Sequence, residues 1–508
     1  MATFKKYETG HAHGVVIDVG SYLAEGHLCK QVEKIVTKLD TSAIEAAYSE
    51  RGQNALHPKL MLSVIFYGYM EGIRSGRKLA KACKENLPFI YLSKGYQPKK
   101  SAINDFRKKH YAHFSSLFLQ VLSKCSEAGL VDASLSIVDG SKIEADSSKK
   151  RTKTKEQFEK WQQHLKEDIA ALEKEAQDEA AKKKLASKKS LDEKISSAIE
   201  VLDKDASIGK LNLTDADGPI MKGKKGNFDT NYNVQAACCE RGQIITYCDV
   251  STDGNDKAQL VPALQGIGEN TGQKVQTALA DADYGTFDSF EYMDENGICG
   301  YVPYRDMNAD FDDKPFHSAH FEYDAQRDTY TCPAKHALEF KSIKTDKKAN
   351  KKYRQYRTDA CKSCPLKSQC CPPKAARRTI LREVRQGLRD EMKQRLNSDE
   401  GKKMYIRRLH PIEAIFGHLK HNLGYTRFLL RGLEKVKAEF TLMCLAYNLR
   451  KLAIELAHFL LFWLAAALLG AVRPQNSLPY PVFKELWQGA AWRASPLLHM
   501  AICCHASP

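Results

Sequence analysis

Residues 134–148 read SLSIVDGSKIEADSS, and the fold turns on the acid in the middle of them. Apolar and polar side chains alternate up to Asp139, and beyond Gly140 the alternation resumes as far as Ile143. Period-two alternation marks a half-buried β-strand. The Asp-Gly pair admits two readings. It is a common turn former, and the strand then ends there. Otherwise the strand runs on with a carboxylate inside it, which is costly unless a cation lies against it.

Outward from this stretch the chain changes character sharply. Residues 149–210 are rich in charge and nearly free of Gly and Pro. Phe158, Trp161, Leu165, Ile169 and Leu172 step by three or four, and so do Leu191, Ile195, Ile199 and Leu202. Such stripes predict a helical hairpin with a coiled-coil-like seam, inserted into the sheet. Strand patterns resume in NYNVQAACC (231–239) and GQIITYCDVS (242–251), joined by a turn at Glu240-Arg241-Gly242. DKAQLVPALQGIGENTG (256–272) predicts a helix, KVQTALADADYGT (274–286) a strand ending in acids, and GICGYVPYR (297–305) another short strand. Strands followed by strand–helix alternation give a mixed α/β sheet over residues 131–304, interrupted at 149–210.

Residues 1–130 read as helical. LHPKLMLSVIFYGYMEGI (56–73) puts Pro58 in a first helical turn, and the pattern continues through 75–92 and 101–130, with Ser101 as an N-cap. Arg74, Arg77, Lys78, Lys81, Arg107, Lys108 and Lys109 are interleaved with these helices, as in a small DNA-binding module; a solvated basic face is the other reading. The chain carries 78 Lys and Arg against 62 Asp and Glu, a formal charge of +16 that favours a polyanionic partner, nucleic acid first. MATFKKYETGHAHG at the start has no apolar region of the secretory kind. The 15 cysteines are therefore expected to be reduced and available to metal.

Two further acids join Asp139. Asp281 closes a strand pattern in ALADADYG, with Asp283 as its competitor two residues on. Glu413 follows Pro411 in RRLHPIEAIFGHLKHNLGYTRFLLRG (407–432), where Ile412, Phe416, Leu419 and Leu423 form one apolar stripe. Lys420, seven residues after Glu413, falls on the same face of a regular helix. Three carboxylates from two strands and a helix suit two divalent cations about 4 Å apart, an arrangement that performs phosphoryl transfer. Hard oxygen ligands select Mg²⁺ or Mn²⁺.

These residues, with LHP…GYMEGIRSGRKLAKAC…INDFRKKH, DGSKIEADSS, NYNVQ…ND…L and IEAIFGHLKHNLGYTRFLLRGLEKVKAEFTLMCLAYNLRKL, make residues 4–452 resemble a DDE transposase of bacterial insertion sequences. The resemblance implies an RNase H-like catalytic core and metal-dependent DNA strand cleavage and strand transfer at the element's ends. It makes Asp139, Asp281 and Glu413 the metal-binding acids, with Glu439 a fallback glutamate. Arg408 and Lys420 match basic residues that hold transposon-end phosphates, although Arg408, or Arg407 beside it, is displaced by one residue from the related pattern. Arg427 and Arg431 are expected to add DNA contacts. The implied partners are the terminal inverted repeats and target DNA, bound by a homodimer in the bacterial cytoplasm at the nucleoid. A catalytically inactive, transposase-derived DNA-binding protein is the alternative.

Between the second aspartate and the glutamate, residues 305–380 carry Cys332, Cys361, Cys364, Cys370 and Cys371. A C-x2-C pair with two more cysteines can close a tetrahedral zinc site, and a zinc-ribbon-like insertion is expected. Its ligands would be Cys332, Cys361, Cys364 and Cys370, with His336 or Cys371 as substitutes. Residues 381–452 are read as the C-terminal helices of the core. In 453–508, LAHFLLFWLAAALLGAV (456–472) is apolar but at the short limit for a membrane span of about 20 residues, so a buried helix followed by an irregular tail is expected.

Overall fold

A computed structural model of the chain describes residues 18–48, 55–175, 178–205, 208–223, 226, 228–304, 315–346, 351–372 and 375–468. It has a mixed α/β architecture in two compact units, one made of residues 132–142 and 219–416 and the other of the remainder.

The first unit is built on a sheet of six strands, β1 (Leu135–Glu144), β2 (Ile220–Lys222), β3 (Phe228–Cys239), β4 (Ile245–Ser251), β5 (Thr277–Leu279) and β6 (Cys299–Tyr301). Their order is β2-β3-β1-β5-β6, with β4 also paired to β3. Strand β3 is antiparallel to both β2 and β4, while β5 is parallel to both β1 and β6. β1 therefore has neighbours on both edges, and its run Ser136-Ile137-Val138 is buried. The strand continues past Asp139 and Gly140, so the Asp-Gly pair is not a turn. Parallel neighbours require crossover connections, and the helix Phe287–Glu295 supplies the one between β5 and β6, while the helix Leu260–Thr271 links β4 to β5. Gly272 ends that helix in the left-handed conformation, at φ 65°. Leu260, Ala263, Leu264 and Ile267 bury against Val138, Ala237, Ala278 and Ala280 of the sheet. Phe290 and Met293 of the helix Phe287–Glu295 and Met392 of Gln386–Asn397 join the same core.

The cysteine-rich stretch of this unit forms a second sheet, antiparallel throughout. Its order is Thr379–Glu383, Lys351–Arg357, Ala337–Asp346, Thr329–Thr331 and Glu322–Asp324. Phe321, Tyr330, Leu338, Tyr356 and Ile380 make it a small, largely aromatic core.

In the second unit the helices Leu28–Thr37, Pro58–Met70 and Phe114–Glu127 pack on one long helix, Leu433–Leu468. Val436, Phe440, Leu445, Leu449, Leu452 and Leu456 of the long helix are buried. The boundary drawn from sequence at 452/453 falls inside it, because the apolar face that packs here does not pause there. Among the described residues no helix is long and apolar enough to cross a membrane, and residues 469–508 of the tail lie outside them. Pro58 opens its helix as expected, with the His57 ring accepting the Lys59 N–H at 3.1 Å. Ser101 does not cap. The N-cap of the helix Lys100–His110 is two residues earlier, Lys99, and its side chain makes no capping hydrogen bond. Helices Lys155–Glu175 and Glu179–Lys204 pack as a pair through Phe158, Leu165, Ile195, Ala198 and Leu202.

Candidate active site

The register of the sheet brings the first two acids together. Ile137 of β1 pairs with Leu279 of β5, and the same register carried two residues further sets Asp139 beside Asp281. Asp281 lies just past the carboxyl end of β5, where open α/β sheets place their ligand sites, and Asp139 lies within β1 two residues past its last pairing with β5. Adjacent strands run about 4.8 Å apart, a spacing suited to carboxylates that share cations. Asp139 accepts the Gly140 N–H at 2.9 Å, and Asp281 caps the turn Ala282–Tyr284 by accepting the Asp283 N–H at 2.9 Å. Burial pushes the Asp139 carboxyl up to about 6; Arg408 opposes the push, while Asp281 and Asp256 add to it. Asp281 is also raised, first by burial, with Asp256 again among the causes and Arg408 opposing. A third acid, Asp256, thus belongs to this centre.

Arg408 is the cation against these acids. Its Nη1 stands 3.8 Å from Asp139 Oδ2 with both side chains mostly buried, and its Nε is buried without a hydrogen-bond partner. Arg407 points elsewhere, into a two-pronged ion pair with Glu240. The two arginines that sequence left interchangeable are thereby separated.

Glu413 sits on the helix Leu409–Gly417 and is exposed, between buried Ile412 and buried Ile415 and Phe416. It is not among the leading influences on Asp139 or Asp281. After Gly417 the chain winds as a π-helical turn, His418–Asn422, so the spacing of Lys420 from Glu413 is not that of a regular α-helix. Among the described residues no group of three or more His, Cys, Asp or Glu has metal-holding spacing. The donor chemistry at the acids nevertheless fits a hard divalent cation, because the carboxylates are crowded and Arg408, whose Nε has no hydrogen-bond partner, is the cation recorded against them among the described residues.

Residues missed from sequence line the same centre. Asp256 Oδ1 accepts Asn233 Nδ2 and Gln235 Nε2, each at 2.6 Å, and Gln235 Oε1 accepts the Tyr284 hydroxyl at 2.5 Å. All three partners are buried. The signal was there in NYNVQ and ND, two motifs that carried the resemblance without being given a role.

In the second unit, Arg427 pairs with Glu144 at 2.8 Å and Arg431 with Asp146 at 2.8 Å. The Glu144 backbone also bonds to Thr426 and Phe428, and Asp215 and Asp217 accept the N–H groups of Gly432 and Leu433, so this loop is held on several sides. Glu439, the fallback glutamate, is fully committed there. Its carboxylate accepts the N–H groups of Leu429 and Leu430 and pairs with Arg74 at 3.2 Å, all in a buried setting. Burial drives its proton affinity up, and Arg74 opposes the rise.

In the second sheet, Cys332, His336, Cys361, Cys364, Cys370 and Cys371 line one cavity of about 20 Å³, room for a water or a small ion. The Cys370 thiol is pushed up to about 11 by burial, with Cys371, Cys361 and Cys332 adding to the rise. Soft donors in this number suit zinc, although among the described residues no group of three or more such side chains is arranged to hold a metal ion.

Residues 331–453 match the family model described as Transposase DDE domain, and residues 18–109 match Transposase domain (DUF772). No curated protein and no solved structure matches the chain. The first match contains Glu413, and the second covers the N-terminal helices up to Lys109. Two transposase family models thus match separate stretches of one chain, and the chain is similar over them to DDE transposases of insertion sequences.

Proposed function

We propose that the chain cuts and joins DNA at the ends of an insertion sequence, using an RNase H-like core in which Asp139, Asp281 and Glu413 hold two Mg²⁺ or Mn²⁺ ions. The observation that carries this reading is the parallel pairing of β1 with β5, whose register ends at Ile137 and Leu279, two residues before Asp139 and Asp281, together with the electrostatic influence of Asp281 on Asp139. When bound, such ions activate the attacking oxygen and stabilise the leaving one. The chain's own part is to fix the carboxylates. A strand paired on both edges holds Asp139, and a capped turn holds Asp281. Asp281 is preferred over Asp283 because it lies in register and is a direct electrostatic neighbour of Asp139. Glu413 is preferred over Glu439 because its carboxylate is exposed, whereas every acceptor position of Glu439 in use serves the fold.

Arg408, Lys420, Arg427 and Arg431 are assigned to DNA phosphates. The pairs made by Arg427 and Arg431 are about half exposed, and such pairs are worth about 0–1 kcal/mol, so a phosphate can replace either carboxylate at little cost. The substrate is double-stranded DNA, both terminal repeat and target, engaged by a dimer because two ends must be held together. A structural zinc is assigned to Cys332, Cys361, Cys364 and Cys370, with His336 or Cys371 in reserve.

Purified chain incubated with a linear duplex carrying the element's end tests the reading. Strand cleavage that requires Mg²⁺ and is lost in Asp139→Asn supports it; Mg²⁺-independent or absent cleavage refutes it.

A further inference from the structure

We infer that Asp256 is a positioning residue for the two-aspartate centre, acting through Gln235 and Tyr284 on the Asp281 turn and through packing on Gly140 beside Asp139. The inference rests on the proposed metal-holding role of Asp139 and Asp281, and only one of its two readouts rests on DNA cleavage as well.

Asp256 lies between β4 and the helix Leu260–Thr271. An ionised carboxylate only accepts hydrogen bonds, so the Gln235 amide must present its NH₂ to Asp256 and its oxygen to Tyr284. The Tyr284 hydroxyl is then obliged to donate to Gln235. One acceptor-only group thus sets the direction of the whole relay, and the relay ends in the turn capped by Asp281.

The other end of the network touches the first aspartate's backbone. A Cβ placed on Gly140 would lie 2.6 Å from Gln235 Nε2 and 2.8 Å from Asp256 Oδ1. Gly140 is therefore required for β1 to approach Asp256 and Gln235 this closely, which is the second reason for the Asp-Gly pair. A network that only satisfied buried polar groups could touch the sheet anywhere. This one meets the chain beside Asp139 and three residues after Asp281.

The test reads Mn²⁺ binding by the free-ion electron paramagnetic resonance signal, alongside Mn²⁺- or Mg²⁺-dependent cleavage of end DNA. Asp256→Ala and Tyr284→Phe should each weaken Mn²⁺ binding by about tenfold or more, the usual cost of losing an outer-shell partner. Asp256→Asn, which keeps an acceptor oxygen, should recover most of the affinity. The double variant Asp256→Ala/Tyr284→Phe should be no worse than the weaker single variant, because both break one relay. Wild-type Mn²⁺ affinity in Tyr284→Phe, which removes only a hydroxyl, overturns the inference even if Asp256→Ala fails to fold. Losses that simply multiply in the double variant also overturn it. If Mn²⁺ binding falls in the variants as expected yet the wild-type chain cuts no DNA, the transposase chemistry fails and the positioning role stands. If neither the wild type nor any variant binds Mn²⁺, both fail.

Discussion

Glu413 and Glu439 sit 26 positions apart and differ in what their oxygens do. Glu439 is buried between Arg74 and two backbone N–H groups, so Glu439→Ala strands a buried guanidinium and should cost about 3–5 kcal/mol of stability. Glu413→Gln, at an exposed position, should leave thermal unfolding unchanged within about 0.5 kcal/mol while abolishing metal-dependent cleavage. Thermal denaturation paired with a cleavage assay separates the two. A destabilised Glu413→Gln, or a stable and inactive Glu439→Ala, would reverse the roles. A strand pattern leads directly into Asp139 and Asp281, which is why sequence alone singles out these two acids. Asp256 is not singled out, because it stands in a loop whose side chain finds its partners, Asn233 and Gln235, only when that loop folds back on β3. Arg408 could not be told from Arg407 for a similar reason: the choice depends on which one reaches Asp139 and which Glu240.

At the scale of elements, periodicity read well wherever one face is buried and the other wet. The alternation around Asp139, the paired strands at 228–251 and the two helical stripes at 158–202 all appear. Ends were less legible. Ser101 looks like a cap but lies one residue inside its helix, and the bend from α- to π-winding after Gly417 has no compositional mark. The cysteine-rich stretch builds its small core mostly from tyrosine and phenylalanine. That small core is expected to lean on metal. Replacing Cys361 and Cys364 together with Ser should remove one zinc per chain and lower the unfolding temperature, since metal binding at such a site is folding energy. Metal analysis that finds no zinc in the native chain contradicts the assignment, and so does full stability of the mutant.

For the whole molecule, the long helix Leu433–Leu468 changes what the tail means. Leu456 is buried, so Leu456→Ala should destabilise by about 2–5 kcal/mol, and ending the chain at residue 455 should do at least as much harm. Chemical denaturation of the two variants checks this; wild-type stability in both would detach the segment from the fold. The net charge of +16 predicts DNA binding that weakens steeply with salt, at a log–log slope of about −0.9 for each phosphate contacted. Replacing Arg427 and Arg431 with Ala should make that slope shallower by about 2, read from binding isotherms at several salt concentrations. An unchanged slope removes both arginines from the interface.

The central claim is that Asp139 and Asp281 act together as metal-holding acids in a DNA-cutting centre. Asp139→Asn is the most direct probe, because it preserves size and hydrogen bonding while removing the charge. The measurement is Mg²⁺-dependent cleavage of end-bearing duplex by Asp139→Asn, with duplex binding followed in parallel. The account predicts cleavage reduced by about a hundredfold or more with binding nearly unchanged, since the ions supply both the nucleophile and leaving-group stabilisation. Wild-type cleavage by Asp139→Asn would contradict it.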